Sequence, residues 1–294
     1  MKVGDWFSGI GGFSIAAERA GMEVAFHSEI DKPASRVLKH HWPDIPNLGD
    51  ITHATAIPTD LDVWTAGFPC QDYSVAGNRG GLAGDRGALW WALADRLGEY
   101  RPEWFVGENV PGLLSSNSGQ DFATIVDSLV ECGYGVVWGV LDAQYFGVAQ
   151  RRRRVFIVGH SGGEPRPEVL ALGEGLFGHP APKRDTRRTI AHALTRRTHK
   201  GGDPTSDTLI PHPDPAYSLT ARAAQDRPES NAATLVSGGS TVRRLTPLEC
   251  ERLQGFPDNF TDIEGNSDSQ RYRQMGNAVA VPVVEWIMKR IADL

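Results

Sequence analysis

The chain has 294 residues, 40% of them hydrophobic, enough for one large domain or a large and a small one. It contains no apolar run of 18 residues, which excludes an obvious membrane span, and its three scattered cysteines exclude a disulfide framework or a Cys-x-x-Cys zinc site. The net charge of −6 hides an asymmetry: residues 150–245 carry 16 Lys and Arg against 9 Asp and Glu, which fits either a segment that faces a polyanion or a solvated basic surface.

Strand-like and helix-like stretches alternate over the first 160 residues. The first residues, MKVGD, lack the apolar stretch of a signal peptide, and with free cysteines this favours a reducing, cytoplasmic location. Alternation of this kind predicts a mainly parallel sheet covered by helices on both faces. The predicted strands are 3–7, 24–28, 63–67, 104–107, 136–141 and 155–159, and the predicted helices are 13–20, 32–41, 88–100 and 121–132, with Gly21 and Gly133 at helix ends.

The regular pattern stops at about residue 161 and returns after residue 241. The stretch between is rich in Gly, Pro, Ser, Thr, Asp and Arg, which predicts a small, loop-rich domain. Thr246 and Glu249 form a capping box with Pro247 in the first turn, so a helix begins there and ends at Gly255. With a last amphipathic helix at 281–293, residues 1–160 and 244–294 are expected to form one large domain into which 161–243 is inserted.

A glycine-rich turn follows the first predicted strand and precedes the first predicted helix. Its glycines permit close approach of the backbone to a ligand at the helix N-terminus. Glu29 ends the second strand, 17 residues beyond Gly12, where an acid suits the two hydroxyls of a ribose. The spacing Gly9-x-Gly11-Gly12 departs from the dinucleotide pattern, which favours a nucleoside ligand such as S-adenosylmethionine over a nicotinamide cofactor.

Cys70 lies in the pentapeptide Gly67-Phe68-Pro69-Cys70-Gln71, directly after a predicted buried strand. Pro69 restricts its own φ and keeps Phe68 extended, so the thiol is expected on a rigid turn. This is the carboxyl end of a strand, where open α/β sheets bind ligands.

Eight segments then appear in the order typical of one family, which the chain resembles: the DNA (cytosine-5)-methyltransferases. The resemblance covers nearly all of the chain except the loop-rich middle. The segments are residues 5–12, Gly49-Asp50-Ile51, Gly67 to Gln71, Arg86-Gly87-x-Leu89, Glu108-Asn109-Val110, Gln150-x-Arg152-x-Arg154, residues 244–257 and Gly276-Asn277.

The resemblance implies a Rossmann-like S-adenosylmethionine-dependent methyltransferase sheet with helices on both faces and a small target-recognition domain. Glu29 would hold the ribose hydroxyls, Asp50 the adenine amino group and Phe7 the adenine face. The implied cofactor-binding residues are Phe7, Ser8, Gly9, Gly11, Gly12, Glu29, Ile30, Asp50, Ile51, Pro69, Asn277 and Ala278. The product would be S-adenosylhomocysteine, and no metal is expected.

The implied reaction forms 5-methylcytosine in DNA by covalent catalysis. Carbon 5 of cytosine is a poor nucleophile until a thiolate adds at carbon 6, and Cys70 is the candidate for that addition. Only the thiolate is reactive, so nearby arginines would help to ionise it. By the resemblance, Glu108 would hydrogen-bond ring N3 and the exocyclic amine, and Arg152 and Arg154 would lie near the cytosine O2 and the thiol.

The partner implied is double-stranded DNA from which the target cytosine is flipped. The glycine-rich loop 71–86 is a plausible lid over the flipped base, and Arg151 and Arg153, which alternate with Arg152 and Arg154, are expected to face phosphate or solvent. The candidate DNA-binding residues are Gln71, Ser74, Arg79, Arg86, Arg151, Arg187, Arg188 and Arg222. A monomer is expected, with no membrane association and no stable protein partner, although a cognate restriction endonuclease would fit in function.

Three departures and three alternatives accompany this interpretation. One departure is that the recognition segment is short. Tyr73 stands where the family often has phenylalanine, and Ala278 stands where serine is frequent, beside the expected cofactor site. A tRNA cytosine-5 methyltransferase and a catalytically silent DNA-binding relative remain alternatives. The net basic middle segment favours DNA, and the intact Cys70, Glu108 and two arginines argue against a silent protein. The glycine spacing disfavours a nicotinamide dehydrogenase.

Overall fold

The structure is a computed structural model that describes residues 1–69, 87–171 and 244–294, together with the backbone of three two-residue strands between them. Contacts divide the chain into two units. The first unit comprises Met1–Leu141, Arg153–Ala171 and Val284–Leu294, and the second comprises Asp142–Arg152 and Leu172–Val283. Within the described ranges, no helix has the length and apolarity needed to cross a membrane.

The first unit contains a six-stranded sheet. Its strands are β1 (Lys2–Trp6), β2 (Glu23–Ser28), β3 (Val63–Ala66), β4 (Trp104–Asn109), β5 (Gly135–Asp142) and β7 (Arg153–His160). They lie in the order β2-β1-β3-β4-β7-β5, with β1 to β4 running parallel and β7 pairing antiparallel with β4. The predicted α/β sheet is therefore present, and its mainly parallel character holds up to β4.

The four helices predicted in this part of the chain are confirmed to within a residue or so at each end. They are α1 (Gly12–Arg19), α2 (Lys32–His41), α3 (Gly87–Tyr100) and α4 (Gln120–Glu131). The carboxylate of Asp31 caps α2 by accepting the Ala34 N–H at 3.1 Å. Gly21 and Gly133 have φ of 79° and 90°, the left-handed conformation that commonly ends helices and favours glycine.

Aromatic packing fixes the core between β1, β2 and β3. The rings of Trp6 and Phe26 meet edge to face at 4.8 Å between centroids, and Trp6 meets Trp64 in the same way at 5.3 Å. All three side chains are fully buried. This cluster holds the neighbouring strands in register, so the loops that follow them have a rigid base.

The second unit contains α5 (Pro247–Gln254), α6 (Asp268–Asn277) and the first residues of α7 (Val281–Ala292). The predicted capping box of Thr246 and Glu249 is present, and the helix ends at Gly255 with φ of 77°. The helix α6 was not predicted, although Ser267 and Gln270 form a second capping box at its start.

Two short strand pairs are described in the second unit. Gln150–Arg151 (β6) pairs in parallel with Ala191–His192 (β8), while Leu209–Ile210 (β9) and Ala216–Tyr217 (β10) form an antiparallel pair. A buried ion pair joins α5 to α6, with Arg271 Nη2 3.3 Å from Glu251 Oε1. Residues 244–283 thus group with the loop-rich segment by contacts, while the functional division into catalytic and recognition parts stays a prediction.

Candidate active site

The order of the parallel strands places a crevice between β1 and β3. The chain passes from β1 outward to β2 and then returns to β3 and β4 on the other side of β1. Such a reversal is the topological switch point at which open α/β sheets bind ligands, outside the carboxyl ends of the strands. The glycine-rich turn after β1, Glu29 after β2, Pro69 after β3 and Glu108 near the end of β4 all lie at this edge.

The glycine-rich turn is anchored to β2 through Ser8. Its backbone N–H donates to the Ser28 carbonyl at 3.0 Å, and its hydroxyl donates to the Asp5 carbonyl at 2.6 Å. Gly11 has φ of 84°, and a Cβ there would lie 2.5 Å from the Trp42 ring, so glycine is required. Gly9 has φ of 56° and no atom within 4 Å of an added Cβ, which leaves open space above the turn.

A buried polar network supports this turn from below. Asp5 on β1 accepts hydrogen bonds from Thr65 on β3 at 2.7 Å and from Ser14 on α1 at 2.9 Å. The Ser14 hydroxyl also lies 2.9 Å from Nε2 of His27 on β2. Burial raises the pKa of Asp5 to about 7 and lowers the pKa of His27 to about 4. Both groups are therefore neutral in the folded protein between those values.

We expect this pair to make opposite contributions to stability as pH changes. Between pH 4 and 6.5 the unfolded chain carries ionised Asp5 and protonated His27, whereas the folded chain carries neither charge, so net proton uptake is close to zero. His27→Gln should leave the raised Asp5 pKa, so stability falls as pH rises from 4 to 7. Asp5→Asn should leave the depressed His27 pKa, so stability rises over pH 4 to 6.5.

The measurement is urea unfolding of both variants and the wild type at several pH values. The free energy of unfolding should change by up to about 1.4 kcal/mol per pH unit relative to the wild type, which is the limit for one proton. It should fall with pH in His27→Gln and rise with pH in Asp5→Asn. Parallel pH profiles for the three proteins would contradict the buried network.

Glu29 and Ile30 follow β2 and border the open space above Gly9. The Glu29 carboxylate accepts the Gly9 N–H at 2.8 Å through one oxygen and the Asp31 N–H at 2.6 Å through the other. Each oxygen keeps a second lone pair for a ligand hydroxyl. Burial raises the pKa of Glu29. The Ile30 side chain is 70% exposed, an apolar surface available to a flat ligand.

Asp50 and Ile51 lie in the loop that comes directly after the short segment running alongside β2. The Asp50 carboxylate accepts the hydroxyl and the N–H of Thr52 at 2.7 and 2.9 Å, and these bonds lower its pKa. It therefore stays an ionised acceptor. The Ile51 side chain is buried in the core, so only the backbone of this residue can contact a ligand. Phe7 has φ of 54°, a strained value for a bulky residue at the edge of the turn.

The ends of β3 and β4 are tied together by Asn109. Its side-chain amide donates to the Phe68 carbonyl at 3.2 Å, which fixes the backbone that leads into Pro69 and Cys70. Beside it, Glu108 is buried, and Arg154 Nε lies 2.9 Å from its Oε1. The two are diagonal neighbours on one face, because Glu108 pairs with Phe156 in the antiparallel register. The Nε hydrogen of Arg154 does not point at Glu108 Oε1, so the two groups form an ion pair without a well-aligned hydrogen bond.

The second unit contains the other predicted arginine and the Asn277-Ala278 turn. Arg152 is 2% exposed, and its guanidinium donates to the Ala278 carbonyl at 2.7 Å. Gln254 Nε2 donates to the Met275 carbonyl at 2.8 Å in the same turn. Arg152 thus supports the turn at the end of α6, while Arg154 pairs with Glu108 in the first unit. Arg151 is exposed, as the predicted alternation requires.

Several predicted site residues lie outside the described residues, and their roles stay predictions. They are Cys70, Gln71, Ser74, Arg79, Arg86, Arg187, Arg188 and Arg222.

Comparison with known proteins decides the family. A family model described as C-5 cytosine-specific DNA methylase matches residues 1–201 and 183–293. The chain belongs to this family. The type II methyltransferase M.HpaII of Haemophilus parainfluenzae is 33% identical over 321 residues, covering 98% of this chain and 88% of the relative. M.NlaX of Neisseria lactamica is 34% identical over 305 residues, covering 99% and 96%.

Solved structures agree on the fold. The Entamoeba histolytica methyltransferase EhMeth superposes with a TM-score of 0.69 at 18% identity, covering 100% of this chain and 98% of that one. A putative DNA modification methyltransferase from an Escherichia coli prophage gives 0.67 at 21% identity, covering 100% and 99%. The predicted fold class is confirmed. The protein is a DNA (cytosine-5)-methyltransferase that uses S-adenosylmethionine, and the nicotinamide alternative is wrong.

The residues at the switch point of this methyltransferase fit that cofactor. Gly9 and Gly49 both have positive φ and open space where a Cβ would lie, which makes a cradle for a ligand. Around it stand an ionised acceptor at Asp50, spare lone pairs on Glu29 and the exposed Ile30 side chain. A ribose, an adenine amino group and an adenine face require these three kinds of contact.

Sequence reasoning missed the polar residues that support this site. Asn47, Ser14, His27 and Thr65 contact the ligand-facing segments from behind, and none was singled out. A signal existed for Asn47, since an asparagine two residues before a glycine often accepts the N–H two residues on. No comparable local pattern marks the other three, because their partners come from different strands.

Proposed function

We propose that this methyltransferase uses Cys70 as the nucleophile, Glu108 as the group that binds N3 and the exocyclic amine of cytosine, and Arg154 as the partner of Glu108. The observation that supports this most is the buried pair of Glu108 and Arg154 at the end of β4, one residue before Asn109, which holds the Phe68 carbonyl. Addition of a thiolate to a cytosine ring requires a carboxylate close to the nucleophile, and Glu108 lies beside Asn109, which holds the Phe68 carbonyl two residues before Cys70.

The cofactor residues follow from the open cradle at the switch point. S-adenosylmethionine, when bound, supplies an activated methyl group on a sulfonium sulfur. Glu29 would accept the ribose hydroxyls, Asp50 would accept from the adenine amino group, and Phe7 and Ile30 would cover the adenine faces. The resemblance to the family assigns Asn277 and Ala278 to the cofactor as well, and Arg152, proposed for catalysis on the same resemblance, donates to the Ala278 carbonyl.

The chemistry assigned to the chain's own residues has three steps. The Cys70 thiolate forms a bond to carbon 6, while Glu108 stabilises the proton that N3 acquires as negative charge develops on the ring. Carbon 5 then has enamine character and would take the methyl group of S-adenosylmethionine, whose methyl–sulfur bond breaks to leave S-adenosylhomocysteine. Transfer of the carbon 5 proton to a water molecule, with return of the N3 proton, eliminates the Cys70 thiolate by breaking its bond to carbon 6 and leaves 5-methylcytosine.

The remaining assignments concern the partner and the organisation of the chain. We assign catalysis to residues 1–160 and 244–294, and recognition of a specific sequence in double-stranded DNA to residues 161–243, which carry 11 Lys and Arg against 9 Asp and Glu. The curated relatives are named as type II methyltransferases, which supports a role beside a cognate restriction endonuclease. We expect a monomer without a stable protein partner, located with the DNA in the cytoplasm.

The experiment that tests the proposal is bisulfite sequencing of unmethylated DNA treated with the enzyme and S-adenosylmethionine. Protected cytosines within one short motif are expected. Protection scattered without a motif would contradict sequence specificity. If no cytosine in DNA is protected and tRNA is methylated in a parallel assay, the substrate is tRNA and the proposal of a DNA substrate is overturned.

We predict that Glu29→Ala weakens binding of S-adenosylmethionine by roughly 10- to 100-fold, because hydrogen bonds to a charged group contribute about 1.5–3 kcal/mol. Calorimetry with S-adenosylmethionine measures it. Glu23→Ala is the matched control, since Glu23 is an exposed glutamate at the opposite end of β2. Equal affinity in the Glu29 variant and the control would overturn the ribose assignment.

A further inference from the structure

A short extended segment runs beside the carboxyl end of β2 and connects two parts of the proposed cofactor site. The His27 N–H donates to the Pro46 carbonyl at 2.9 Å, and the Leu48 N–H donates to the His27 carbonyl at 2.7 Å. This pairing is an isolated parallel bridge between His27 and Asn47. It brings the stretch before Gly49 and Asp50 alongside the stretch that leads into Glu29.

The side chain of Asn47 uses its full hydrogen-bonding capacity at this junction. Its Oδ1 accepts the N–H of Glu29 and the N–H of Gly49, both at 3.0 Å. Its Nδ2 donates to the Glu29 carbonyl at 3.0 Å and to the Ser35 hydroxyl at 3.2 Å. Because two backbone N–H groups face Oδ1, this orientation of the amide is the one the network permits.

Asn47 therefore holds both backbone polar groups of Glu29 and the N–H of the residue before Asp50. The Ser28 hydroxyl reinforces the same junction by donating to the Gly49 carbonyl at 2.6 Å. Among these links, the Asn47 amide is the one side chain that bonds the backbone of both Glu29 and Gly49, so it helps to set the distance between the two acceptors proposed for the ribose and the adenine. In its absence, water can replace each bond singly, but no single water fixes both segments at once.

We infer that Asn47 is a positioning residue for the nucleoside part of the cofactor, which it orders through Glu29 and Gly49 without contacting the cofactor. This inference rests on the proposed assignment of Glu29 and Asp50. The Asn47 side chain is exposed, so its replacement removes no core packing and should leave the folded state intact. An effect on cofactor binding can therefore be separated from an effect on stability.

The test compares Asn47→Ala and Asn47→Asp with Glu29→Ala and the wild type in the full chain. Asn47→Asp has the same shape and keeps the acceptor but removes both Nδ2 donors. Asp44→Ala is the control, because Asp44 is an exposed residue of the same loop. The measurements are the Kd for S-adenosylmethionine by calorimetry, kcat and KM for both substrates, and the Tm of the free protein.

The expected result is an increase of about tenfold in the Kd and KM for S-adenosylmethionine in both Asn47 variants. The kcat at saturating cofactor, the KM for DNA and the Tm should stay close to those of Asp44→Ala. Unchanged cofactor affinity in Asn47→Ala, with weakened binding in Glu29→Ala, would overturn the inference alone. A uniform loss of kcat, DNA affinity and Tm would overturn it in favour of a structural role. Unchanged binding in Glu29→Ala would overturn the cofactor assignment and the inference together.

Discussion

Cys70→Ala should lower methyl transfer by at least about 1,000-fold, because loss of an attacking nucleophile removes the covalent route altogether. The variant should still bind DNA, since a methyl group in place of a thiol leaves the basic residues unchanged. Transfer of a tritiated methyl group to DNA measures the first effect, and a mobility-shift titration measures the second. Turnover equal to that of the wild type would refute the proposed mechanism.

The other two cysteines provide matched controls. Burial raises the pKa of the Cys132 thiol, which lies 3.6 Å from the Ala94 carbonyl, and it raises the pKa of the Cys250 thiol further. Both are therefore protonated and unreactive at neutral pH. Cys132→Ala should retain full activity, and iodoacetamide should inactivate the wild type and Cys132→Ala at the same rate. Continued activity after complete alkylation of Cys70 would contradict its role.

The parts of the fold that depend on local sequence were predictable. Capping and helix-ending signals, such as Thr246 with Glu249 and the glycines at 21 and 133, act within a few residues of each other, so the chain displays them directly. The antiparallel insertion of β7 beside β4 was not predicted, because a hydrophobic strand looks the same in either direction. Helix α6 was missed because its polar residues show little apolar periodicity.

The site was predictable where residue type and position along a strand carry the chemistry. Glu29 and Glu108 each lie near the carboxyl end of a parallel strand, and the structure brings both to one edge of the sheet. The two arginines of Gln150-x-Arg152-x-Arg154 were predicted to act together, yet Arg152 donates to the Ala278 carbonyl and Arg154 pairs with Glu108. Alternation along a strand gives the face of a side chain but not its partner 126 residues away.

Glu108→Gln should lower kcat by roughly 100- to 1,000-fold, within the range that general acid–base groups contribute. Glutamine has the shape of glutamate but carries no negative charge to stabilise a proton on N3 or to pair with Arg154. Glu103→Gln is the control, because Glu103 is an exposed glutamate about 16 Å away at the other end of β4. Single-turnover kinetics separate this loss in chemistry from any change in DNA binding or product release.

A double-mutant cycle then decides whether Arg154 acts through Glu108. Arg154 Nε lies 2.9 Å from the buried Glu108 carboxylate, so removing the arginine alone leaves that charge unpaired in the protein interior. If the two act as one unit, Arg154→Gln added to Glu108→Gln should lower kcat little beyond the single Glu108 change. Multiplicative losses would instead indicate that Arg154 contacts the cytosine or the thiolate independently. Arg154→Lys keeps the positive charge but loses the planar guanidinium, so its kcat should lie between those of the wild type and Arg154→Gln.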